Sequence, residues 1–248
     1  VTLVAEGLGH RFPDGAWGLE GVNIAFQSGQ FVVVAGPNGA GKTLLMRHLV
    51  GLAEPTVGRV TFGGADIKGQ LAEVRRRVGL VFQDSGAQIV GLTVAEEVAF
   101  GPRNLGWKRR DVERAVASAL EVVALAGRED EVCAHLSGGE KRRLAIAGVL
   151  ACDPAVLVLD EPFTGLDLPG VQAVLGTLVE LHRRGKTIVV LTHELDKCLA
   201  HAERLVLMAD HRVRADGHPA DLWDNIPEAQ THRPVGGPER LAEMTWLG

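Results

Sequence analysis

Residues 31–43 read "FVVVAGPNGAGKT". Five apolar residues run directly into a turn that carries Gly36, Gly39 and Gly41 and ends on Lys42 and Thr43. A run that is apolar on both faces suits a strand buried inside a parallel sheet. The glycines let the backbone curl so that successive N–H groups point inward around phosphate oxygens. The spacing is G-x-x-x-x-G-K-[ST]. The following "TLLMRHLVGL" predicts a helix, whose N-terminus adds roughly +0.5 charge beside the turn. Gly36, Pro37, Asn38, Gly39, Ala40, Gly41, Lys42 and Thr43 are therefore the candidate cradle for a nucleoside triphosphate. Lys42 is placed to bridge the β- and γ-phosphates, and the Thr43 hydroxyl to sit on Mg²⁺.

A triphosphatase needs a second group that handles metal and water. "VLVLDEP" at 156–162 supplies one. The apolar strand carries Asp160 and Glu161 out at its C-terminal end, where open α/β sheets bind their ligands. Asp160 is the candidate Mg²⁺ ligand. Glu161 is the candidate general base that polarises the attacking water.

Around these motifs the chain alternates in a way that predicts an α/β core. "TLVAEGL", "NIAFQ" and "GRVTFGGADI" read as short strands near the start, and "TIVVL" at 187–191 as another buried strand. "RDVERAVASALEVVALAG" places Val112, Val116, Ala119, Leu120 and Val123 at helical spacing, with Gly127 as the expected stop. The tail with "RPVGGPER" is expected to be irregular. The 248 residues carry 46% apolar and 23% charged side chains, which is ordinary for a globular protein. With 26 Lys and Arg against 31 Asp and Glu, the net charge of −5 favours no nucleic-acid partner. Cys133, Cys152 and Cys198 are odd in number and far apart, so a disulfide framework is not expected. No basic-then-apolar leader is read at the start, and no stretch is apolar enough to span a bilayer.

A third motif, "LSGGEKRR" at 136–143, opens another predicted helix. Its Ser137, Gly138 and Gly139 offer a hydroxyl and backbone amides to an anion. The ordered set of phosphate loop, Gln83, "LSGGE", "VLVLDEP", "GLD" and "TH" resembles the ATP-binding-cassette (ABC) ATPases over nearly the whole chain. The resemblance implies a RecA-like P-loop NTPase core with an N-terminal antiparallel β subdomain and a helical insertion subdomain. It implies one ABC ATPase domain over 1–248, with the core at 1–83 plus 154–215, the helical part at 84–153 and a C-terminal extension at 216–248. It also implies ATP and Mg²⁺ as cofactors and a pair of subunits that sandwich two ATPs head to tail. Ser137 and Gly139 would then face the opposite subunit's ATP, and Asp167 would lie at the dimer interface. Gln83 would contact Mg²⁺ or water, and His193 would sense the γ-phosphate. Phe12, or else Trp17, would stack on adenine. The signature departs from the family in carrying Glu140 where glutamine is usual. A carboxylate there would repel phosphate unless it points into solvent.

Within that family, Gln88 and "EEVAFGPRNLG" at 96–106 are similar to the energy-coupling-factor (ECF) ATPases of vitamin and of cobalt or nickel importers. That similarity implies a transmembrane coupling subunit, a substrate-binding membrane subunit and a second ABC ATPase subunit as partners. It places the chain at the cytoplasmic face of the membrane. Gln88, Phe100 and Asn104 are the candidates to dock the coupling subunit. A conventional ABC importer ATPase and a soluble non-transport ABC ATPase are the alternatives. The lack of a long coiled-coil insertion or a second cassette disfavours the soluble reading, and the presence of Lys42, Asp160, Glu161 and His193 disfavours a non-hydrolysing sensor.

Overall fold

The computed structural model describes residues 2–226 and 231–247. Ten strands and seven α-helices are defined among them. In chain order these are β1 (Leu3–Arg11), β2 (Trp17–Phe26), β3 (Phe31–Ala35), α1 (Lys42–Leu49), β4 (Val57–Phe62), β5 (Ala65–Asp66), α2 (Leu71–Arg77) and β6 (Val78–Val81). Then follow α3 (Ser85–Gln88), α4 (Val94–Asn104), α5 (Arg109–Val122), α6 (Gly138–Leu150), β7 (Val156–Asp160), α7 (Leu168–Arg183), β8 (Thr187–Thr192), β9 (Arg204–Ala209) and β10 (Arg212–Gly217).

The strands divide into two sheets. One is antiparallel, in the order β2-β1-β4-β5. The other runs β10-β9-β3-β8-β7-β6, parallel throughout except that β10 returns antiparallel to β9. Strand β3 sits inside this second sheet, paired with β8 from Phe31↔Ile188 to Ala35↔Thr192 and with β9 on its other side. This is why "FVVVA" is apolar at every position. Phe31, Val33 and Ala35 face a core shared with α4–α7, while Val32 and Val34 face a second core shared with α1 and the antiparallel sheet. The same alternation divides β7 and β8: Leu157, Leu159, Ile188 and Val190 lie in the first core, and Val156, Val158, Val189 and Leu191 in the second.

The architecture is the RecA-like P-loop core with an N-terminal antiparallel sheet and helical insertion that the motifs implied. Helix α5 ends earlier than its periodicity predicts. It stops at Val122, and Ala124, not Gly127, is the first residue to turn left-handed, with φ 54°. Gly127 also has positive φ, but in the loop beyond. Of the tail stretch "RPVGGPER", residues 233–237 are irregular as expected, and Pro238–Glu243 forms 3-10 turns. The three cysteines are free. Among the described residues no helix is long and apolar enough to cross a membrane.

Candidate functional site

The sheet order assembles the site. The phosphate loop follows β3, His193 follows β8, Glu161 follows β7 and Gln83 follows β6, and these are four successive neighbours in one sheet. Their C-terminal ends open into one cavity of about 530 Å³. Phe12, Asn38, Gly39, Ala40, Gly41, Lys42, Thr43, Gln83, Asp160, Glu161 and His193 all line it.

The loop holds its shape for local reasons. A Cβ on Gly36 would come within 2.2 Å of the Met208 carbonyl oxygen, so only glycine lets the loop leave β3 beside β9. Gly41 caps α1 with φ 98°, a conformation costly for any residue with a Cβ. No side chain caps this helix start. Its first amides are therefore available to an anion. Gly36 and Pro37 do not line the cavity themselves. Their carbonyls accept hydrogen bonds from Lys42 Nζ at 2.7 and 3.2 Å.

Thr43 Oγ1 donates to Asp160 Oδ2 at 2.7 Å. Asp160 Oδ1 is buried and has no hydrogen-bond partner among the described residues. A buried carboxylate oxygen left open beside a hydroxyl is a hard-oxygen pair of the kind Mg²⁺ accepts. The residues present therefore fit the metal. Burial raises the Asp160 pKa, opposed chiefly by the Thr43 hydrogen bond. Burial lowers that of Lys42, opposed by the negative charge of Glu161 and then of Asp160.

Glu161 is 5% exposed and fully engaged. Its Oε2 accepts from Thr192 Oγ1 at 2.9 Å, and its Oε1 lies 2.9 Å from His193 Nδ1 and 3.7 Å from Lys42 Nζ. Its backbone φ is 47°, in the left-handed region. For a residue other than glycine that strain is about 1–3 kcal/mol and persists only where surroundings over-determine it. Here the Glu161 N–H donates to the Leu191 carbonyl at 2.8 Å, and both carboxylate oxygens are held.

Of the two aromatic candidates, Phe12 lines the cavity and is 43% exposed, whereas Trp17 does not line it and lies under the Arg11 guanidinium. Ser137, Gly138, Gly139 and Asp167 are outside the cavity, at the starts of α6 and α7. Asp167 Oδ1 accepts from the Gly170 N–H at 3.0 Å. Glu140 neither points into solvent nor stands free. Its Oε2 accepts from the Ser137 N–H at 2.8 Å, the Ser137 hydroxyl accepts from the Glu140 N–H at 3.3 Å, and Arg128 pairs with Oε1. The Arg128 hydrogen bond and then the Ser137 N–H depress its pKa to about 2.

Gln88 is turned inward. Its Oε1 accepts from the Phe82 N–H at 3.0 Å and its Nε2 donates to the Leu80 carbonyl at 3.1 Å, so the amide holds the end of β6. Phe100 and Asn104 are exposed on α4. The cavity also includes Gly18, Leu44, Thr164 and His211, which the motifs did not indicate. A Cβ on Gly18 would meet Leu44 and Phe12 side-chain atoms at 2.6 and 2.7 Å, so glycine makes room for the aromatic ring. His211 arrives on the β9–β10 turn, with φ 64°, and its carbonyl accepts from the Glu20 N–H at 2.9 Å. No local sequence signal marks it.

A phosphate loop after β3 and an acidic pair at the end of β7, with β8 between them in one parallel sheet, define a P-loop nucleoside triphosphatase. Residues 19–164 match the ABC transporter family profile. The energy-coupling factor transporter ATP-binding protein EcfA of Methanocaldococcus jannaschii is 43% identical over 219 residues, covering 87% of this chain and 78% of its own length. The structure of cbiO1 from Clostridium perfringens, part of the ABC transporter complex cbiONQ, superposes with a TM-score of 0.83 at 33% identity, covering 90% of each chain. The dimeric structure of the bacterial ABC transporter cassette MJ0796 gives 0.78 at 26% identity over 87% of this chain and 98% of that one. The chain belongs to the ABC transporter family as an ATP-binding, ATP-hydrolysing subunit, and its relatives include the ECF-type ATPases and cbiO1.

Proposed function

We propose that this chain powers import through separate membrane subunits of ECF type, carrying a metal ion such as cobalt or nickel, or a vitamin such as biotin. The similarity to EcfA and to cbiO1 across nearly the whole chain supports this reading. Partners of that kind are a transmembrane coupling subunit, a substrate-binding membrane subunit and a second ATPase, either another copy or a paralogue. The protein then sits peripherally at the cytoplasmic face of the membrane. Val90, Leu92, Phe100 and Leu105 are exposed apolar side chains on and beside α4, which favours a docking role for this face. Phe100 and Asn104, four residues apart, share one side of the helix. Gln88 remains a docking candidate in this scheme, and its amide also fixes the end of β6.

The observation that carries the hydrolytic reading is the Glu161 cluster, a carboxylate held by Thr192 and His193 within 3.7 Å of the loop lysine. Thr43, Asp160 and Gln83 would hold Mg²⁺, which when bound neutralises phosphate charge. The loop amides and Lys42 bind and orient the triphosphate. Glu161 takes the proton from the attacking water, and His193 fixes the Glu161 carboxylate and faces the γ-phosphate. Phe12 stacks on the adenine. Ser137, Gly138 and Gly139 complete the site of the opposite subunit, with Asp167 at the interface, so ATP drives dimerisation.

Glu161→Gln tests this scheme. Glutamine keeps the size but cannot accept a proton at neutral pH. ATP binding should persist while turnover falls ~10²–10⁴-fold, and sedimentation should show an ATP-bound dimer. Hydrolysis at the parent rate would remove Glu161 as the base.

A further inference from the structure

The C-terminal segment lies against the turn that follows β8. The His232 N–H donates to the His193 carbonyl at 2.7 Å, and the His232 carbonyl accepts from the Asp196 N–H at 2.7 Å. One residue of the tail thus brackets the 193–196 turn at both ends. The two imidazoles also meet edge-on, 5.5 Å between ring centres. Farther along, the tail is anchored again. Thr245 Oγ1 lies 2.8 Å from His201 Nε2, and the Trp246 carbonyl accepts from Gln172 Nε2 at 2.9 Å. The Lys197 ammonium lies 5.9 Å from the Trp246 ring centre. His232 therefore sits within a segment pinned to α7 and to the 195–201 turns.

Beyond Thr192 the main chain has left the sheet, and β8 no longer dictates where the His193 ring goes. Yet His193 Nδ1 sits 2.9 Å from Glu161 Oε1. We propose that the peptide groups of His232 are a positioning clasp, which holds the His193 main chain so that its imidazole meets Glu161. This inference rests on the reading of Glu161 and His193 as the hydrolytic pair. Misplacement by ~1 Å at such a pair lowers turnover by on the order of 10²-fold, while nucleotide binding by the α1 end is untouched. His232 acts through His193 and makes no contact with substrate.

His232→Pro removes the N–H donor and keeps the carbonyl that accepts from Asp196. Steady-state hydrolysis should show kcat down by ~10–10²-fold with KM within about twofold, the signature of a lost transition-state arrangement. His232→Ala keeps both peptide groups and should retain kcat within about threefold. Parent-like kcat in His232→Pro overturns the clasp. An equal loss in both variants also overturns it, because the ring and not the peptide would then carry the effect. Glu161→Gln is measured alongside. If it hydrolyses at the parent rate, the underlying reading fails and takes the clasp with it; if it is inactive while His232→Pro is normal, only the clasp is wrong. Hydrogen exchange on the parent chain needs no substitution. The Asp196 and His232 amides should exchange slowly, and rapid exchange at both overturns the clasp even should the proline variant not fold.

Discussion

Two helices in this molecule begin on glycine-bearing turns, and they begin in opposite ways. Helix α1 starts at Gly41 with no side-chain cap, beside the buried cation of Lys42. Helix α6 starts at Ser137 with a reciprocal capping box to Glu140, which Arg128 neutralises. The first end leaves its amides open to an incoming anion. The second already holds one, its own carboxylate. Glu140 is therefore part of the α6 cap, and any phosphate reaching Ser137 from a second subunit meets an end whose charge is partly satisfied.

The largest expected contrast is in nucleotide affinity. Lys42→Ala should weaken ATP binding by the isolated chain by ~10–10²-fold, the worth of a charge-assisted hydrogen bond. Ser137→Ala should leave it within about twofold, because Ser137 lies outside the cavity. Equal losses in a fluorescence titration would break the comparison.

Glycine substitutions sharpen it next. A Cβ on Gly41 would stand 2.7 Å from the Gly18 carbonyl oxygen at φ 98°, so Gly41→Ala should cost about 1–3 kcal/mol in thermal unfolding. At Gly139 the nearest atom is 3.5 Å away and the backbone is helical. Gly139→Ala should be neutral or stabilising by up to ~1 kcal/mol. If that folded variant still fails to dimerise with ATP, the trans role proposed for Gly139 is supported; normal dimerisation and turnover count against it.

The smallest effect concerns acid. The Glu140 pKa falls to about 2 from an ordinary 4.5. A depressed carboxylate stabilises the fold above its unfolded pKa and loses that contribution as pH falls from about 4.5 to about 2. Glu140→Gln keeps a capping side chain but not the charge. The parent should exceed it by about 0.5–1 kcal/mol near neutrality, with the gap closing across that acid window. A gap that is unchanged at pH 2 would show that the ion pair contributes nothing.

Phe12 and Trp17 give a parallel test at the nucleoside end. Phe12→Ala should raise the KM for ATP by about tenfold, the worth of one aromatic stack, and Trp17→Ala should leave it unchanged. The reverse order would reassign the base-stacking residue.

Local sequence carried the parts whose chemistry is contiguous. The phosphate loop, Asp160–Glu161 and the Ser137–Gly139 helix start were legible because a glycine pattern or an acid pair after an apolar strand carries its own meaning. What was not legible depends on non-local approach. Gln88 looked like an exposed docking residue, and only the fold shows its amide bound to Phe82 and Leu80. That Phe12 lines the cavity and Trp17 does not is visible only in the fold. His211 reaches the cavity from far along the chain, and His232 reaches the His193 main chain, with no motif to announce either.

By itself the sequence determined the class of this protein, the glycine loop that leads into α1 and the acidic pair that ends β7, because each follows from backbone and side-chain chemistry within a few residues. Tertiary structure alone decided the strand order that brings β3, β8, β7 and β6 together, the open Asp160 oxygen, the cap that occupies Glu140 and the tail lying across His193. The physical reason is that hydrogen bonding and burial between segments far apart in the chain depend on which faces meet, and no local pattern encodes the partner of a face.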